Sequence, residues 1–179
     1  MKEINKIARV ITRILEIFHW VGAGILVAAT MCSVVAPDKI GYFIGIDSKE
    51  NGVTKMTVYD FEVNATCVDG NIDMKTFLLF GIGAVIILIL MAIVYHNMYL
   101  IFKRSNENSP FQKENIKMFR CIGLFSIAVP VVGIVISFIV RFVIGVDAAE
   151  VSVNQSGFYM GIVILCLTHY LAMSVKKQN

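Results

Sequence analysis

Four apolar runs constrain this chain more than any other feature: "IFHWVGAGILVAATMCSVVA", "FLLFGIGAVIILILMAIVY", "CIGLFSIAVPVVGIVISFIV" and "GFYMGIVILCLTHYLAMSV". Each is close to the ~20 residues that an α-helix needs to cross ~30 Å of hydrocarbon. Lipid offers no water to backbone N–H and C=O groups, so an open-ended segment there must be helical. The runs predict transmembrane helices over about 15–36, 76–102, 117–142 and 157–175, joined by segments 37–75 and 103–116. The chain is 57% apolar and only 16% charged, with a mean hydropathy of +0.74. Soluble domains carry roughly 25% charged residues, and a water-soluble core of this size cannot hide so much apolar surface. The expected fold is an all-α membrane protein, a single domain of four transmembrane helices. The first run is longer than the ~7–15 residue core of a cleaved signal peptide, so it reads as a retained span.

Lysine and arginine set the expected threading. Eleven of the 16 fall in the N-terminal segment, the 103–120 region and the C-terminal tail, and five fall elsewhere. Basic residues favour the cytoplasmic face, which predicts both termini inside, in a multi-pass protein of the cytoplasmic (inner) membrane. Segment 37–75 then lies outside. It is acidic, and "GYFIGI" and "MTVYDFEV" alternate in strand fashion around "DSKENG". With Asn51-Gly52 as the turn signal, they predict a β-hairpin subdomain between the first two helices.

The second connection has a distinct pattern, "NSPFQKENIKMFRCIG" (108–123). Ser109, Pro110 and Gln112 form a capping-box start with proline at the first helical position. At 100° per residue, Phe111, Asn115, Met118, Phe119 and Ile122 share one side, while Lys113, Lys117 and Arg120 share the other. The basic side matches anionic headgroups at the membrane surface, or an acidic partner. Phe111, Lys113, Lys117 and Arg120 are the expected lipid or partner contacts. The formal net charge of +3 is too small to imply nucleic-acid binding, and direct binding is not expected.

The same stretch resembles the Pro-Phe…Asn…Arg-x-Ile-Gly signature of a bacterial family of small four-span membrane proteins known as domain of unknown function 2975. The matching positions are Pro110, Phe111, Asn115, Arg120, Ile122 and Gly123. The resemblance implies four helices with an outer loop after the first, and no established enzyme activity. It also implies a partner, because genes of that family often stand beside small helix-turn-helix regulators.

Three histidines, His19, His96 and His169, lie on three different spans. Counted from the nearest basic residue at 1.5 Å per residue, all three sit roughly 9–11 Å inside the cytoplasmic ends. Glu16, Asn97 and Thr168 belong to the same layer. Ionisable groups inside a membrane are costly and mark functional hypotheses. Paired imidazoles can hold a b-type haem or a transition metal, and His19, His96 and His169 are the candidate cofactor residues. At this depth they can equally snorkel or bond water beside Trp20 and Tyr95.

No nucleophile with a neighbouring base, no paired intramembrane carboxylates and no dedicated metal-ligand spacing can be read from the chain. The expected function is therefore non-enzymatic: a regulatory or interaction protein in the membrane, touching lipid headgroups and a cytoplasmic transcriptional regulator, with no cofactor. Two alternatives stand beside it. One is a membrane redox protein built on the three histidines. The other is a small transporter or immunity protein, in which Pro130 and the intramembrane glycines permit hinge motion. Association of copies into a homo-oligomer is compatible with each.

Overall fold

The computed structural model describes residues 2–36, 52–59, 61–68, 71–104, 113–150 and 155–177. These are mostly helical. Helix α1 runs Lys2–Val35, α2 Met74–Arg104, α3 Lys113–Val143 and α4 Gln155–Lys177. Between α1 and α2 lie strands β1 (Gly52–Val58), β2 (Phe61–Val68) and β3 (Asn71–Ile72); a short 3-10 turn and strand β4 (Ala149–Glu150) follow α3. Helices α1, α2 and α3 are long and apolar enough to cross a membrane, while the apolar part of α4, Gly157–Met173, is shorter.

Local chemistry explains the helix ends. Asp73 caps α2, its Oδ2 accepting the backbone N–H of Thr76 (2.9 Å) and the Thr76 hydroxyl (2.8 Å), which occupies donors that a helix start leaves unpaired. α3 closes with Ile144 N–H on Val140 O, after which Gly145 turns the chain at φ 145°, a conformation that suits only glycine. Pro130 lies within α3 without ending it. α1 begins well before residue 15, because "KEINKIARVITRIL" contains no glycine or proline and spaces Ile4, Ile7, Ile11 and Ile14 at helical intervals. α3 likewise begins inside the expected 103–116 connection. The capping box at 109–112 lies outside the described residues.

A hairpin is present, and it lies within the expected second strand; the segment before Gly52 lies outside the described residues. β1 pairs antiparallel with β2 in the register Gly52↔Cys67 to Val58↔Phe61, so the chain reverses between Val58 and Phe61 and "MTVYDFEV" is two strands rather than one. Tyr59 takes φ 54° there, and Gly52 opens a strand. The reason is burial. This register keeps Phe61, Val63, Ala65 and Cys67 on one inward face, each 2% exposed or less. The segment "GYFIGI" lies outside the described residues. Two-residue strands complete the second edge of β2: β3 pairs at Cys67–Val68 and β4 at Glu62–Val63.

The chain divides into two compact units. One comprises residues 21–88 and 130–153; the other comprises 1–20, 89–129 and 154–179. In the first, the inward face of β2 packs on helix. The Phe61 ring stacks on Phe80 at 5.6 Å and fills the notch at Gly83, where a Cβ would stand 2.8 Å from the ring. In the second, Val94, Ile101 and Ile122 form a buried cluster flanked by Met98, Met118, Phe119, Phe125 and Ile164. There α3 and α4 meet backbone to backbone. A Cβ on Gly161 would stand 2.8 Å from Gly123 O and 3.1 Å from Ile127 N. Small residues at such crossings let membrane helices gain packing that lipid cannot supply.

Gly161→Ala should therefore destabilise the protein by about 1–3 kcal/mol, the usual cost of overpacking. Gly24→Ala should be harmless, since nothing lies within 4 Å of its added Cβ. Unfolding titrations of both variants in detergent micelles check the pair; equal stabilities would contradict the close crossing.

Candidate functional site

Several polar side chains within the helices are satisfied by their own backbone. Thr12 Oγ1 donates to Ala8 O (2.9 Å), Thr30 to Leu26 O (2.7 Å) and Ser33 to Thr30 O (2.7 Å). Asn97 Nδ2 donates to Ile93 O at 2.8 Å. Such back-bonding to a carbonyl one turn earlier hides a donor without needing a second helix.

Glu16 is different. It is 5% exposed, and its two carboxyl oxygens reach two different cations or donors. Oε2 accepts from Arg13 at 2.8 Å, one turn back on α1, and Oε1 accepts the Nδ1–H of His96 on α2 at 3.0 Å. The Arg13 guanidinium lies over the Tyr99 ring, 5.2 Å from its centroid, a cation–π geometry. His19 donates Nδ1–H to Leu15 O (2.7 Å), and its ring meets Tyr95 at 4.9 Å. Arg13, Glu16 and His19 thus engage Tyr99, His96 and Tyr95, a polar seam between α1 and α2. The i, i+3 spacing of 13, 16 and 19 puts the first set on one helical face, and 95, 96 and 99 do the same for the second.

The three histidines do not form one group. His19 and His96 belong to this seam, each with its Nδ1 engaged, while His169 is exposed on α4. Among the described residues no set of three or more His, Cys, Asp or Glu is placed to hold a metal ion. The sequence placed all three at one depth; depth carries no information on the direction in which each ring points.

The basic segment keeps the two-sided character that its pattern implied. Asn115 and Ile122 are buried, Met118 and Phe119 are half-buried, and Lys117 and Arg120 are exposed. Phe111 lies outside the described residues, as does the side chain of Lys113. Gly123, a position of the family-like signature, is one side of the α3–α4 crossing. Sequence reasoning missed a further feature beside this segment. Asn97 and Arg104 of α2, with Lys117 and Met118 of α3, line a cavity of about 320 Å³. Asn97 also donates to Cys121 Sγ at 3.5 Å. The only sequence signal was the basic residues at both ends of the 103–116 connection.

Removing Glu16 or removing its partners should have unequal consequences. Arg13 and His96 are about half exposed and can be solvated when Glu16 is lost, so Glu16→Ala should cost only about 1 kcal/mol. The double variant Arg13→Ala/His96→Ala strands a buried carboxyl and should cost about 2–3 kcal/mol. Unfolding in micelles measures both; the reverse order would show that the seam does not depend on the carboxyl.

Compared with family models, curated proteins and solved structures, the chain matches none.

Proposed function

We propose that this chain is an integral membrane protein crossing the cytoplasmic membrane four times, with both termini inside. It acts without catalysis, as a regulatory or interaction protein of the four-span type its 108–123 signature resembles. The observation that carries the membrane reading is the inverted polarity of its helices. On α1, Glu16 and Ser33 are buried, while Phe18, Val21, Ile25 and Met31 are exposed. On α3, Asn115 and Ser137 are buried, whereas Leu124, Val131, Val135 and Phe138 are exposed. A helix in water hides its apolar side and exposes its polar one. The opposite arrangement is favourable only where the surrounding solvent is hydrocarbon.

Charge supports the orientation. The unit comprising residues 1–20, 89–129 and 154–179 contains eleven basic and four acidic residues, a formal charge of +7. The other contains five basic and nine acidic residues, a formal charge of −4. The positive-inside tendency assigns the first to the cytoplasmic side. On that side Lys117 and Arg120, with Lys113, form the face that meets headgroups and a cytoplasmic helix-turn-helix regulator. The regulator follows from the family resemblance, and the exposure of Lys117 and Arg120 is compatible with it.

A fluorescent reporter fused after Asn179 should be active inside the cell, and alkaline phosphatase inserted in 37–75 should be active outside. The opposite result would reverse the threading. For the partner, Lys113→Gln/Lys117→Gln/Arg120→Gln should abolish crosslinks from this segment to any co-purifying regulator. A full set of crosslinks from the triple variant would remove this face from the function.

A further inference from the structure

Helix α1 presents an apolar row that repeats at alternating intervals of three and four residues. Ile4, Ile7, Ile11 and Ile14 begin it, and they are 70%, 58%, 50% and 47% exposed. Phe18, Val21, Ile25, Ala28, Cys32 and Val35 continue the same spacing to the end of the helix, and each is exposed as well. This is the 3.5-residue repeat of a coiled-coil seam, with Ile4 at the first apolar position of its heptad and Ile7 at the second. At 100° per residue the buried Thr12 and Glu16 lie about 110° and 150° from the middle of the row, so α1 has two separate faces. Glu3, Ala8, Val10, Leu15 and Ile17 occupy the positions that flank the seam. The basic residues Lys2, Lys6, Arg9 and Arg13 fall outside both seam and flanks, so like charges on neighbouring copies stay apart.

Lipid covers only part of this row. The expected span starts at about residue 15, so Ile7 and Ile4 stand eight and eleven residues before it. At 1.5 Å per residue that is ~12 and ~16 Å beyond the hydrocarbon edge. The headgroup layer on each side is only ~5–8 Å thick. An apolar row that reaches into water marks an interaction surface, and one built on an unbroken heptad repeat matches a copy of itself. We propose that Ile4, Ile7, Ile11 and Ile14 form a self-association seam, in which α1 packs in parallel against α1 of a second copy of this chain. Copies inserted the same way run parallel, so Ile7 of one meets Ile7 of the other. The seam rests on the membrane reading above, which supplies the shared orientation and the water beyond the headgroups. It deepens that reading by naming a partner for the interaction protein and the surface it uses.

The test uses the full chain in native membranes, with the exposed Cys32 and Cys166 replaced by Ser. Ile7→Cys or Lys6→Cys is then added, and copper phenanthroline oxidises facing thiols to a disulfide. Lys6 is also exposed and differs by one residue in depth, but it lies about 130° from the seam. Ile7→Cys should give a dimer band at least about fivefold stronger than Lys6→Cys, because a disulfide forms only across Cα separations of ~4.4–6.8 Å. Should Ile7→Cys fail to accumulate in the membrane, Ile11→Cys takes its place. Separately, Ile7→Ser/Ile11→Ser should weaken self-association in vesicles at least about 100-fold, read by energy transfer between labelled copies. Helical circular dichroism should stay unchanged, since both side chains are exposed. Equal bands at the two positions, or no dimer band at Ile7→Cys, would overturn the seam. A band formed only with a different protein would also overturn it and assign the row to another partner. Failure of the membrane reading looks different, since the protein would then stay dispersed without detergent.

Discussion

A helix in the proposed hydrocarbon surroundings must satisfy its own polar groups, and several side chains here do so through their own backbone. Thr12, Thr30 and Asn97 each donate to the carbonyl four residues earlier, and His19 does the same through Nδ1. Each of these residues can therefore lie within an apolar environment whether or not a neighbouring helix is close. A carboxyl has no such route, because it accepts and the helix interior offers it no free donor. Glu16 is thus obliged to recruit Arg13 and His96. Arg13 comes from the same helix, and His96 comes from α2, where the Arg13–Tyr99 and His19–Tyr95 contacts join the two helices as well.

Apolar packing completes what polar satisfaction begins, and it does so through the absence of side chains. In the proposed membrane, lipid tails are as apolar as leucine, so contact between helices gains little from hiding hydrophobic surface. Gly123 and Gly161 let two backbones approach until no room is left for a Cβ between them. Gly83 serves a different purpose, admitting the Phe61 ring of the hairpin against α2. The sheet is small, and a two-stranded hairpin is marginal in water by itself. The inward row Phe61, Val63, Ala65 and Cys67 acquires its stability by packing, with β3 and β4 closing the remaining edge.

The apolar runs made the helices legible from sequence, because length and hydropathy are one-dimensional properties. Their ends were less so: α1 extends to Lys2 because an amphipathic segment remains helical after its apolar run stops. A hairpin was legible, but "MTVYDFEV" read as one strand where the structure has two with a turn between them. Turn chemistry is a local preference, whereas the register is decided by four buried residues of β2, and a tyrosine at positive φ is tolerated as the consequence. The histidines show the same limit. Counting residues gave a common depth, yet the direction of each ring depends on helix rotation, which only the partners Tyr95 and Glu16 determine.

Rotation is also what connects the polar seam to the basic recess. On α2, Tyr95, His96 and Tyr99 lie within about 100° of one another, and Asn97 and Arg104 lie on the opposite side, within about 20° of each other at 100° per residue. One face of α2 therefore engages α1, and the other lines the recess with Lys117 and Met118 of α3. Turning α2 by a single residue's angle would carry Asn97 out of the recess and pull His96 away from Glu16 together. A helix in lipid meets little resistance to such rotation from its apolar surface, since one greasy side is as acceptable as another. The Glu16–His96 contact removes that freedom. The Glu16–His96, Arg13–Tyr99 and His19–Tyr95 contacts on one face of α2 thus go together with Asn97 and Arg104 lying on the other.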